Sequence, residues 1–279
     1  MVSIRLFIPL IFTLLATATP FPARGTPPDI PGPSRRGVAY NDPEVVRLFL
    51  SDESKITWCY NWDSRTGATN TPYEFVPMLH SLRTDHIGRW RGDAERAINA
   101  IKTMPTHLLT FNEPDNCEPY GGGSCMSVDA AVAGWQQHVQ PLKSLKELIY
   151  IGAPAVSNAG GDNAGLGWLE KFLGACTGCS IDFICIHWYD RADNVAYFKQ
   201  HIANARRVAQ GRPIWITEFK PSGTDAQVKQ FLNEVIPWMD ASSDIHRYAY
   251  FMARPGSGLL VNDAQTGLSD VGSFYHHLS

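Results

Sequence analysis

Eight short apolar runs alternate with stretches of helical periodicity, and this alternation limits the fold more than any other feature. The runs are 37–41, 56–63, 74–80, 108–113, 150–156, 181–189, 213–219 and 248–253. Several are rich in Val, Ile and aromatics and are nearly continuous in hydrophobicity, like strands buried on both faces of a parallel sheet. The stretches between them carry helix signals. Asp42-Pro43 reads as an N-cap with proline at the first helical position. Val195, Phe198, Ile202, Ala205 and Ala209 form an apolar stripe after Asp193. Thr224 and Gln227 are spaced as a capping box before Val228, Phe231, Val235 and Met239. Val128, Val132, Trp135 and Val139 mark another helix, whose first part Pro141 closes. After the third run, residues 83–92 are polar and irregular, and a helix is expected only over 93–104.

Strand and helix in alternation imply a parallel sheet. Eight strands over residues 37–279 favour a closed (β/α)8 TIM barrel in a single domain, near the ~250 residues typical of that fold. No Gly-x-Gly-x-x-Gly turn opens a helix, so the main signature of a dinucleotide-binding sheet is missing. A formal net charge of −3 over 279 residues offers no basic surface for nucleic acid or an anionic membrane. A monomer without cofactor or metal is expected.

The N-terminus differs in character. Arg5, an apolar run over 6–15 and Ala16-Thr17-Ala18 have the order of a secretory signal, expected over 1–18. The run is too short to span a bilayer comfortably, so no membrane insertion is expected once the signal is removed. Residues 19–36 read as a proline-rich pro-segment or linker, trimmed after the dibasic Arg35-Arg36. A solvated charge pair in a linker is the competing reading. The domain proper is then 37–279, secreted to the medium or the cell wall. Cysteine usage agrees with an oxidising compartment. Cys117 and Cys125 flank one glycine-rich loop and are expected to be bonded, as are Cys176 and Cys179. A lone C-x-x-C without a second pair or nearby histidines is a poor zinc site. Cys59 and Cys185 lie in apolar runs and read as buried thiols.

In a TIM barrel, chemistry gathers at the C-terminal strand ends. Those ends carry Tyr40-Asn41, Asn61-Trp62-Asp63, Asn112-Glu113, His187-Trp188-Tyr189-Asp190, Glu218-Phe219 and Phe251. Either glutamate alone reads as a loop acid. Together, on the fourth and seventh strands, they face one rim as paired carboxylates, the arrangement glycoside hydrolysis uses. A separation of ~5–5.5 Å belongs to retaining enzymes and ~6.5–9.5 Å to inverting ones. His187 alone reads as a core histidine and the tryptophans as packing, yet strand-end aromatics also suit the C–H faces of sugars.

The segments RGVAYN, WCYNWDS, LLTFNEPD, IDFICIHWYD and IWITEF resemble glycoside hydrolase family 128, a clan A barrel family of mainly fungal and bacterial β-1,3-glucanases. The resemblance covers 37–279. It implies Glu113 as general acid/base and Glu218 as nucleophile, with retention of configuration. It implies Asn112 on the sugar 2-hydroxyl and His187 and Tyr189 near the nucleophile. Tyr40, Asn41, Trp62, Tyr120, Trp188 and Phe251 are expected to complete the contacts to a β-1,3-glucan polysaccharide or oligosaccharide. The glycine-rich loop over 116–126 is expected to shape one end of the cleft. The expected activity is a secreted, retaining endo-β-1,3-glucanase. The alternatives are a clan A hydrolase of a β-1,4-glycan and a wall-bound β-glucan-binding protein with little turnover.

Overall fold

The structure, a computed structural model, describes residues 35–67, 72–100, 106–145 and 148–278. The expected signal over 1–18 and most of 19–36 lie outside them. Each apolar run contributes a strand: β1 Arg36–Tyr40, β2 Ile56–Tyr60, β3 Glu74–Phe75, β4 Thr106–Leu108, β5 Ile149–Ile151, β6 Ile184–Arg191, β7 Ile214–Ser222 and β8 Ile245–Ala253. All ladders are parallel. Six strands run in the order β3-β2-β1-β8-β7-β6, and β4 pairs with β5. Single bridges Met78–Leu109 and Gly152–Phe183 join the two sheets at both seams, closing the ring. The result is a (β/α)8 barrel.

The helices are α1 Thr84–Ala100, α2 Val128–Gly134, α3 Gly165–Ala175, α4 Val195–Ala209, α5 Asp225–Ala241 and α6 Asp270–His277. Asp42 caps its element as expected, but that element is a 3-10 helix, Pro43–Phe49. Thr224 and Gln227 form the capping box of α5. The α2 helix runs on through a π-helical stretch, Trp135–Val139, and Pro141 stands in the 3-10 turn that follows. The polar residues 84–92 are helical after all. Only Trp90, Asp93, Ala94 and Ile98 of α1 are buried, so its apolar stripe is too narrow to read.

Strand alternation separates two cores. Ala39, Trp58, Tyr60, Met78, Leu109, Trp215 and Ala249 are among the residues filling the barrel interior. Val38, Tyr40, Ile184, Ile186, Trp188, Ile214 and Phe219 face the helix layer. At the N-terminal strand ends the interior is closed by a buried ion pair. Arg247 Nη2 donates to Glu74 Oε2 at 2.5 Å, and His107 Nδ1 lies 2.7 Å from Glu74 Oε1. The Arg247 guanidinium lies 4.5 Å from the Trp215 ring centroid.

Both residues of the dibasic pair are held by the barrel, and the boundary expected after Arg36 falls inside β1. Arg36 opens β1 and is 1% exposed. Its guanidinium donates to Tyr248 Oη, the Tyr275 carbonyl and the Leu278 carbonyl. Arg35 donates to the carbonyls of Ser242 and Ile245. Charge alone suggested solvent, but carbonyls left free at the C-terminal ends of α5 and α6, with that of Ile245, give these arginines partners. Cys117–Cys125 and Cys176–Cys179 are bonded, and Cys59 and Cys185 are buried thiols.

Candidate active site

Two backbone irregularities bring the glutamates to the axis. Glu113 follows β4 with φ of 39°, a left-handed conformation rare for a residue with a side chain. Its amide donates to the Ala155 carbonyl, which fixes it beside β5. On β7, Ile216 pairs with Ile186 while Glu218 pairs with His187, leaving Thr217 as an extra residue. Such a bulge re-aims side chains, and here Thr217 and Glu218 both meet groups inside the barrel.

Each carboxylate is held by protein donors at both oxygens. Trp62 Nε1 donates to Glu218 Oε1 at 2.7 Å, and the Tyr189 hydroxyl donates to Glu218 Oε2. Asn116 Nδ2 donates to Glu113 Oε2 at 2.8 Å, and His187 Nδ1 lies 2.8 Å from Glu113 Oε1. His187, fully buried, stands between the two acids: its Nε2 is 3.0 Å from Thr217 Oγ1 and 3.5 Å from Glu218 Oε1. One oxygen of each glutamate and one His187 nitrogen all lie within 4.8 Å of one another. Among the described residues this is also the set that could gather round a cation, although each carboxylate oxygen is already a hydrogen-bond acceptor.

The three groups set one another's protonation. Burial opposes a charge on His187, but the negative Glu218 and Glu113 outweigh it and raise its pKa. Burial raises Glu113, and the hydrogen bond and charge of His187, with Asn116, more than reverse that, so it is lowered. Glu218 is raised, chiefly by burial, with Glu113 adding to the effect and His187, Tyr189 and Trp62 opposing it. A proton held by His187 is thus one hydrogen bond from Glu113.

The family model described as "Glycosyl hydrolase catalytic core" matches residues 37–275. A crystal structure of a GH128 subgroup III curdlan-specific exo-β-1,3-glucanase from Blastomyces gilchristii superposes with a TM-score of 0.76 at 36% identity, covering 88% of this chain and 98% of that one. This chain belongs to glycoside hydrolase family 128. A subgroup I endo-β-1,3-glucanase from Amycolatopsis mediterranei, crystallised with laminaritriose, is 28% identical with a TM-score of 0.68 over 87% of this chain and 98% of that one. Alkali-sensitive linkage protein 1 of Schizosaccharomyces pombe is 29% identical over 79% of this chain, which spans 40% of that protein's length.

Within this family 128 barrel, the expected site residues divide. Trp62, Tyr189 and His187 meet the carboxylates. Phe251 packs edge-on against both Trp62 and Tyr189, partly exposed. Asn112 is 4% exposed; its Nδ2 donates to the Gly122 carbonyl and its Oδ1 has no protein partner. Two expectations are corrected. Tyr40 faces the helix layer and donates to the Thr66 carbonyl. Trp188 is buried in the same layer, packed on Phe198 and Phe231. Neither lines the cleft, because each directly follows or precedes an inward residue on its strand. Asn41 is exposed just past β1. Tyr120 is fully exposed, with φ of 64°, within the loop closed by Cys117–Cys125.

Sequence reading missed His80, Asn116 and Thr217. His80 ends the third apolar run, so the strand-end rule could have found it. Burial, with His86 nearby, pulls it down to about 4, opposed by a hydrogen bond to the Gly122 carbonyl. Its Nδ1 is buried without a partner. Unpaired buried polar atoms at Asn112 and His80 are suited to sugar hydroxyls.

Proposed function

We propose that this glycoside hydrolase cleaves β-1,3-glucan with net retention of configuration. The observation that carries the reading is the Glu113–His187–Glu218 cluster, in which one oxygen of each acid and one ring nitrogen lie within 4.8 Å of one another. That close approach of one oxygen from each acid supports the short separation of retaining pairs over the longer one of inverting pairs. Glu218, oriented by Trp62 and Tyr189, attacks the anomeric carbon. Glu113 gives its proton to the leaving glycosidic oxygen, and an ester to Glu218 forms. Glu113 then removes a proton from water, which displaces Glu218 and releases the sugar. His187, one hydrogen bond from Glu113, favours the ionised form in which Glu113 acts as base in the second step. The β-1,3 linkage is supported by the Blastomyces and Amycolatopsis enzymes, both β-1,3-glucanases.

The sequence expectation of endo action belongs to this reading. An exo mode is favoured by the 36% identical Blastomyces enzyme, which is described as exo-acting. Export through a signal over 1–18 is also proposed, supported by the two disulfides, with a catalytic domain that begins by Arg35. Tyr120 is proposed to stack on a sugar ring.

Linear β-1,3-glucan, β-1,4-mannan and cellulose offered to wild type and Glu218→Gln test the reading. Sugar released from the 1,3-glucan alone, first as the β-anomer by NMR and lost in the variant, is the expected result. Initial α-anomer would overturn retention, and turnover of a 1,4-glycan would overturn the linkage. Early products of mixed length mean endo action, and one short product means exo.

A further inference from the structure

The loop that follows the acid grips it. Asn116, three residues after Glu113, donates through Nδ2 to Glu113 Oε2 at 2.8 Å, and its backbone amide donates to the Glu113 carbonyl. The other acid oxygen, Oε1, faces the fully buried His187. The proton destined for a leaving group must therefore sit on Oε2, the oxygen on the partly open side. A hydrogen bond to Oε2 sets the rotation of the carboxyl and leaves one lone pair of that oxygen for the proton.

Asn116 is itself held. Cys117, the next residue, is bonded to Cys125. The Glu118 amide donates to Asn116 Oδ1 at 3.1 Å. The turn across the loop is fastened to the strand end, where Asn112 Nδ2 donates to the Gly122 carbonyl and the Ser124 amide to the Asn112 carbonyl. Gly123 permits this closure: a Cβ there would stand 2.2 Å from the Asn116 carbonyl oxygen and 2.8 Å from that of Glu113. No side chain fits between loop and acid.

We propose that Asn116 is a positioning residue that aims the acid proton of Glu113, and that the Cys117–Cys125 bond keeps it in register. This rests on the hydrolase reading of the site. It assigns the loop a part in protonating the leaving group, distinct from shaping the end of the cleft.

The test separates acid positioning from loss of structure by varying the leaving group. A sugar leaving group needs protonation, whereas dinitrophenolate departs without it. Asn116→Ala is compared with wild type for kcat/KM on linear β-1,3-glucan and on a dinitrophenyl β-laminaribioside. The expected loss on glucan is roughly tenfold to a hundredfold, the loss that follows from one hydrogen bond to a charged group. The loss on the dinitrophenyl glycoside is a few-fold at most. Cys117→Ser with Cys125→Ser, and separately Gly123→Ala, are expected to show the same leaving-group dependence, and so keep the test open if one variant does not fold. Equal losses on both substrates, or none on glucan, overturn the inference while wild-type activity stands. A wild type inactive on both substrates overturns the hydrolase reading instead.

Discussion

Replacing Glu74 by Gln should remove a large part of the acid sensitivity of the fold. Glu74 closes the barrel at the pole opposite the glutamate pair, with a side chain 23% exposed against 2% for its partner Arg247. Burial raises its pKa, but the charges of Arg247 and His107 and their hydrogen bonds bring it from the ordinary 4.5 down to about 2. A carboxyl lowered in the folded state contributes stability that is complete above its unfolded pKa. That stability is lost as pH falls from 4.5 toward 2. The gap corresponds to about 3 kcal/mol. Burial lowers the pKa of Arg247 and His107, so part of this gain is offset by their desolvation, and ~3 kcal/mol is its upper end. Urea unfolding at pH 6, 4 and ~2.5 measures it. Wild type should lose up to about 3 kcal/mol more than Glu74→Gln across that range. At pH 6 the variant should be weaker by about 3–5 kcal/mol, because it strands the Arg247 charge. Adding Arg247→Met should restore part of that loss. Identical pH dependence in wild type and Glu74→Gln would refute the argument, since the ion pair could then not be the source of the slope.

Other outcomes follow from the same geometry. Trp62→Phe removes the donor at 2.7 Å from Glu218 Oε1 and should lower kcat/KM on glucan by roughly ten- to a hundredfold, read by steady-state kinetics, with little change in Tm. Trp188→Ala should do the reverse: a stability loss of about 3–5 kcal/mol by denaturant titration with KM unchanged, because the indole packs among helices. Thiol reagent should label no cysteine in the native protein, since Cys59 and Cys185 are buried and burial pushes the Cys59 thiol up to about 12. Unfolding without reductant should expose two reactive thiols.

The fold was legible because burial on both faces writes a strand as an apolar run. β2, β6, β7 and β8 could be read almost directly. The acid pair was legible because it stood at the ends of two such runs. Where the reading failed, it stopped at strand ends without applying the period of two. On β6, His187 points inward, so Trp188 must point outward and Tyr189 inward again; on β1, inward Ala39 sends Tyr40 outward. Other features were not written locally. The bulge that turns Glu218 to the axis is a mismatch between two strands. The contacts of Arg36 lie more than 200 residues away in sequence, so its charge could not reveal its burial. In the sequence Asn116 reads only as part of the cleft-shaping loop, because its bond to Glu113 depends on how that loop folds back.

The grip of Arg36 on the last helix also decides which way the cleft faces. By holding the carbonyls of Tyr275 and Leu278, it brings both ends of the described domain to the base of β1. Glu113 and Glu218 sit at the opposite pole, beyond the end of β4 and along β7. Arg35 and Leu278 therefore both lie at the underside of the barrel. A domain tethered from either end, to a wall polymer or to a neighbouring domain, holds its mouth away from the anchor, and a polysaccharide chain can be drawn across it without meeting the tether.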